Sequence, residues 1–197
     1  DEEEWKNKPC LFISDIRNLK YDSSKTKLEN RIENEEHVWN DMSIQKGWVE
    51  KIKPIHSLLK FRLPYAENYC LQAGKTREYL DGTVFVQPFS KPESSETRLC
   101  VSSNNLYTKH WDLVDYEEKM CHHNFEVRPS HKYKNPLGGH TMVHEKHGLL
   151  NNYDSICLCN NVMDYLRKID KDTSRDNVVE VIDYIMKNIG TKNKLTH

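Results

Sequence analysis

Residues 43–59 read SIQKGWVEKIKPIHSLL, and the spacing of Ile44, Trp48, Ile52, Ile55 and Leu59 decides how the chain is built. Steps of three and four put these side chains on one helical face, so the stretch predicts an amphipathic helix behind a Ser43 cap. Pro54 lacks a backbone donor and clashes with the preceding turn, so it should kink or split that helix. Upstream, Leu28, Ile32, Trp39 and Met42 step in the same way and predict a surface helix over 24–42.

Residues 66–80 also suit a helix, ending at the turn pair Asp81-Gly82, which launches Thr83-Val84-Phe85-Val86 as a short strand. Between Pro88 and Thr97 two prolines, three serines and several charges mark an exposed loop. It divides the chain into an N-terminal helical half, 1–90, and a C-terminal half, 91–197, which can also share one core. A short helix is expected from Asp112 to Met120 and irregular chain from Arg128 to Gly139. At the carboxyl end Ile156, Val162, Leu166 and Ile169 form one apolar stripe. Val178, Val181, Ile182, Ile185 and Ile189 form another, on a helix starting at Thr173 or Ser174 and ending at Gly190. The expected fold class is mainly α, a disulfide-stapled helical protein with at most a short β element.

The staples are expected because Cys10, Cys70, Cys100, Cys121, Cys157 and Cys159 are even in number and spread over the chain. Zinc ligands come in pairs with two or more residues between them, and only Cys157 and Cys159 are close, with one. A bridge between such near neighbours is strained, so each should reach a different distant partner, and the connectivity stays open. The chain starts Asp1-Glu2-Glu3-Glu4-Trp5 without methionine, as a processed secreted protein does. No apolar run reaches the roughly 18–20 residues of a membrane-spanning helix. Basic (29) and acidic (30) side chains nearly cancel, so no global field recruits nucleic acid. These features predict a secreted, extracellular protein.

Cys70-Leu71 is followed by Glu78-Tyr79-Leu80, and Cys157-Leu158 by Asp164-Tyr165-Leu166, at nearly the same gap. The pattern suggests an internal repeat and two related helical halves. At these residues the sequence resembles the Bicycle family, secreted salivary effectors of gall-forming aphids named for paired cysteine-tyrosine-cysteine motifs. The resemblance rests on Cys70, Tyr79 and Cys100 in one half, and on Cys121, Cys157 and Tyr165 in the other. No cysteine follows Tyr165, so the second motif would run from Cys121 through Tyr153 to Cys157. The resemblance implies delivery into plant tissue and no catalytic activity.

Chemistry, if present, should centre on His122, His123, His131, His140, His144 and His147. His131, His144 and His147 are the metal-ligand candidates. His144-Glu145 falls short of a zinc-protease helix, since His147 is three residues on and Gly148 occupies the fourth place. The run His131, Gly138-Gly139, Asn152, Cys157, Asn160 resembles an HNH nuclease finger. Against it stand Ser130 in place of an acid, a cysteine pair with the wrong spacing for zinc, and the lack of the basic surface that DNA contact demands. Cys159 with His110 resembles the pair of a permuted papain-like cysteine hydrolase, provided the thiol is free. The favoured expectation is a binding protein acting on a host or partner protein, with no cofactor, no membrane span and oligomeric state open.

Overall fold

The computed structural model, which describes residues 2–67, 75–102, 104, 106–137 and 152–192, divides the 43–59 stretch between a helix and a strand. A short helix α1 (Glu2–Trp5) and strand β1 (Leu11–Ser14) precede one 26-residue helix, α2 (Lys27–Ile52). Thr26 caps α2. Its hydroxyl accepts the Glu29 N–H while the Glu29 carboxylate accepts the Thr26 N–H, satisfying two donors that a helix start leaves open. Ser43 lies mid-helix instead, its hydroxyl donating to the Trp39 carbonyl at 2.9 Å.

The helix stops because a residue preceding proline is pushed out of the α conformation. Lys53 takes φ 52°, ψ 55°, and its N–H closes on the Val49 carbonyl. The Ile55 N–H then reaches the Cys10 carbonyl at 2.8 Å, and His56–Phe61 runs on as strand β2. The 55/59 spacing is ambiguous because residues four apart share a face in a helix and in a strand alike.

β2 lies parallel to β1 and antiparallel to β5 (Thr97–Ser102). With β4 (Thr83–Val86), the sheet order is β1-β2-β5-β4. A second, antiparallel pair joins β3 (Thr76–Leu80) to β6 (Thr108–Asp112). The fold is therefore mixed α/β, not mainly α. Thr76–Leu80, expected as the end of a helix, gains its hydrogen bonds from β6, a partner more than 25 residues away that no local pattern reveals. The proline-rich stretch from Pro88 to Thr97 connects β4 to β5 within one sheet.

The buried face of α2 is Glu35, Val38, Met42, Gln45, Val49 and Ile52, while Leu28 is 59% exposed. Val38, Met42 and Val49 pack on Leu59, Phe61, Leu99 and Val101 of the sheet and on Tyr79 and Leu80 of β3. Helix α3 (Leu113–His122) adds Leu113 and Tyr116. Asp112 starts it by accepting the N–H groups of Val114 and Asp115 at 2.9 and 3.0 Å. Burial pushes the Tyr79 and Tyr116 phenols well up from 10. Both are satisfied, Tyr79 donating to the Met42 carbonyl and Tyr116 to that of Ser95.

The chain separates into two compact units, Asp1–His122 and His123–His197. The second opens with a π-helical turn (His123–Val127) and a single turn α4 (Arg128–Ser130). It continues with α5 (Tyr153–Lys168) and α6 (Arg175–Lys192). Asn152 caps α5 by accepting the Ser155 N–H at 3.0 Å. Cys159, Val162, Met163 and Leu166 of α5 pack against Val178 and Ile182 of α6. Both C-terminal helices were legible from their stripes, although α6 passes through Gly190 to Lys192. No helix among the described residues is long and apolar enough to cross a membrane.

The described cysteines, Cys10, Cys100, Cys121, Cys157 and Cys159, are all free thiols; Cys70 lies outside the described residues. The disulfide framework is thus corrected: this fold closes on two apolar cores instead of on staples. Titration with a thiol reagent under denaturing, non-reducing conditions is expected to return no fewer than these five thiols per chain. A count of none or one would restore the staples.

Candidate functional site

Because β1 and β2 are parallel, their carboxyl ends meet at one edge of the sheet, and the amino end of antiparallel β5 arrives beside them. Asp15 directly follows β1, Lys60 lies near the end of β2 opposite Arg98 of β5, and Glu96 directly precedes β5. The Lys60 Nζ sits 3.1 Å from Asp15 Oδ1 and 3.4 Å from Glu96 Oε2. Arg98 bridges the same two carboxylates, at 2.9 Å to Asp15 and 3.0 Å to Glu96. Lys60 is only 14% exposed and Asp15 is 62% exposed, so the lysine is held from below and reached from above.

Next to this centre is a polar pocket of about 430 Å³ lined by Arg17, Arg31, Arg62, Tyr65, Lys91 and Glu93, among others. Glu35 receives both guanidinium nitrogens of Arg62 at 3.0–3.3 Å and the Tyr65 N–H at 3.0 Å. That grip lays Arg62 over the Tyr65 ring, 4.5 Å from its centroid, while the Tyr65 hydroxyl donates to the Glu93 carbonyl. Arg17 differs. Among the described residues both its buried terminal nitrogens make no hydrogen bond, the closest carboxylate being Glu96 at 3.9 Å. Burial, then the neighbouring Arg62 charge, pulls its pKa down. A guanidinium with open donors in the wall of a pocket has the chemistry to bind an anion if the pocket wall gives way to it.

The buried polar residues of α2 hold this edge in place. Asn30 binds the backbone of Asp22, Asp41 takes both the N–H and the side-chain amide of Asn18 at 2.7 Å, and Gln45 donates to the Lys60 carbonyl at 3.1 Å. With Glu35 they tether the chain after β1 and the outer end of β2. Scattered between positions 15 and 96, with only Lys60 on a strand, Asp15, Arg17, Lys60, Arg62 and Glu96 form no local motif. The nearest signal in the sequence is that Asp15 follows the apolar run Leu11–Ile13 by two residues and Lys60 interrupts the run Leu58–Phe61.

The family model for the poly A polymerase regulatory subunit matches residues 2–169. The chain belongs to this family. It is also 32% identical over 130 residues to a cap-specific mRNA (nucleoside-2'-O-)-methyltransferase of Fowlpox virus (strain NVSL), covering 63% of this chain and 38% of that protein. The chain thus spans little more than a third of that relative's length.

Membership in the regulatory-subunit family overturns several expectations at once. The chain is not a Bicycle effector, and the secreted, extracellular setting and the effector function fall with that resemblance. An even cysteine count and a non-methionine start carried them, and neither is specific. Tyr79 and Tyr165, the supposed repeat tyrosines, stand in different settings: one buried on β3, the other 59% exposed on α5. A regulatory subunit implies a protein partner, as expected in outline.

The predicted chemistry is dispersed. His131 is exposed, with its ring against Tyr133, and His144 and His147 lie outside the described residues. No group of three or more metal-ligating side chains occurs among the described residues. Asn152 is the α5 cap, a structural role rather than a nuclease one. Cys159 is fully buried and burial pushes its thiol pKa up, the opposite of an activated nucleophile. His110 is exposed on β6.

Proposed function

We propose that this chain is an RNA-contacting regulatory subunit, seating RNA phosphates in the Arg17 pocket and one ribose hydroxyl against Lys60. The observation that carries the reading is the buried Arg17 guanidinium with open donors, directly beside a lysine held between two carboxylates. Phosphate oxygens suit the first, and Tyr65 offers a ring for a base. The second suits a ribose 2′-hydroxyl, which can donate to Asp15 while accepting from the Lys60 ammonium. The fowlpox relative's methyl transfer to a nucleoside 2′-oxygen fits the same placement. The partner is a poly(A) polymerase catalytic subunit.

In this reading Arg17, Tyr65, Lys60 and Asp15 bind and orient RNA, and no transfer step is assigned to them.

Fluorescence anisotropy with a short single-stranded RNA and its all-deoxy counterpart tests the reading. Arg17→Ala should weaken RNA binding about ten-fold, the loss of a charge-assisted phosphate contact. Lys60→Met should remove the preference for RNA over DNA, since only the ribose carries the hydroxyl that Lys60 meets. Absence of RNA binding by the unmodified chain at moderate salt would sink the proposal.

A further inference from the structure

We propose that the second unit carries a separate platform for single-stranded RNA, formed by residues 131–134 and the rings gathered around Tyr133. This rests on the reading of the chain as an RNA-contacting subunit. The π-helical turn His123–Val127 brings His123 to the ring of Tyr153 on α5, at 5.7 Å between centroids. Tyr153 meets Tyr133 at 5.9 Å, and Tyr133 meets His131 at 4.5 Å. Four rings from three segments thus form a row. None belongs to the apolar core of this unit, which is built from α5 and α6. Such π turns are rare and recur at functional sites.

The charges around the row favour a polyanion. Lys132 and Lys134 flank Tyr133 in sequence, are exposed, and form no ion pair among the described residues. The neighbouring acid Asp154 is already taken by Arg128, in a multiply bonded pair at 2.6–3.0 Å. Burial holds the Tyr153 phenol pKa up to about 12, so the row gains no negative charge from it at neutral pH. Partly exposed aromatic faces with cations on either side bind single strands through stacking and backbone contacts, with little sequence preference.

Binding of a 20-nucleotide single-stranded RNA by the full chain tests this. The Lys132→Ala/Lys134→Ala double variant, with both changes on the surface, should bind several-fold more weakly. Its salt dependence should flatten by about 0.7 per lost phosphate contact in the log–log slope. Tyr133→Leu should cost about five-fold or more through lost stacking. If Arg17→Ala weakens binding while the lysine double variant and Tyr133→Leu both bind like the unmodified chain, the platform is refuted and the Arg17 site stands. If the unmodified chain binds no RNA, both proposals fail together.

Discussion

Replacing Glu35 with alanine is expected to lower the unfolding free energy of the first unit by about 3–5 kcal/mol, the cost of leaving a buried charge without its partner. Arg62 is 10% exposed and Glu35 is 7% exposed, so water cannot replace the lost carboxylate at Arg62. The change also strands the Tyr65 N–H, which has Glu35 as its acceptor. Glu35→Gln keeps an acceptor oxygen for that amide and should lose about half as much. Urea unfolding at unchanged m reads the difference; a loss below about 1 kcal/mol would show that Arg62 is solvated in solution. RNA affinity should fall in the same variant, because Glu35 orients both Arg62 and Tyr65.

A second large effect is expected from Phe61→Ala, about 3–5 kcal/mol for emptying a fully buried aromatic position. Phe61 lies at the meeting point of three rings, with centroids 5.9 Å from Tyr79, 4.8 Å from Trp111 and 5.4 Å from Tyr116. Those rings come from β3, β6 and α3, so one side chain joins the second sheet and a helix to β2. Its chain neighbours are Lys60 and Arg62, which tie its packing to the site. Phe61→Leu should recover part of the loss by refilling volume. Thermal unfolding gives the stability and anisotropy the RNA affinity; a variant with wild-type stability would mean that the ring cluster closes over the gap.

The balanced net charge argues against a global field for nucleic acid, but it averages over the surface and says nothing of how charges are grouped locally. Arg17, Arg31, Arg62 and Lys91 line one pocket together with Glu35, Glu93 and Glu96, and Lys60 and Arg98 stand beside it with Asp15. What the cysteines suggested failed for a similar reason. Their number is a property of the composition, whereas bonding depends on which pairs the fold brings within reach.

The sequence by itself determined the elements whose causes lie within a turn or two of chain. The apolar stripes of α5 and α6, the β-branched strand Thr83–Val86 after Asp81-Gly82, and the helix following Asp112 were all visible as local patterns. Only the tertiary structure decided which face of α2 is buried, because Asn30, Glu35, Asp41 and Gln45 find their partners in Asp22, Arg62, Asn18 and Lys60, outside the helix. It decided the sheet as well, since β1 and β2 pair in parallel across a 26-residue helix that separates them in sequence. The candidate site follows from that pairing. Asp15, Lys60 and Glu96 are brought together by strand direction and register, which are properties of long-range hydrogen bonds and leave no periodic trace in the chain.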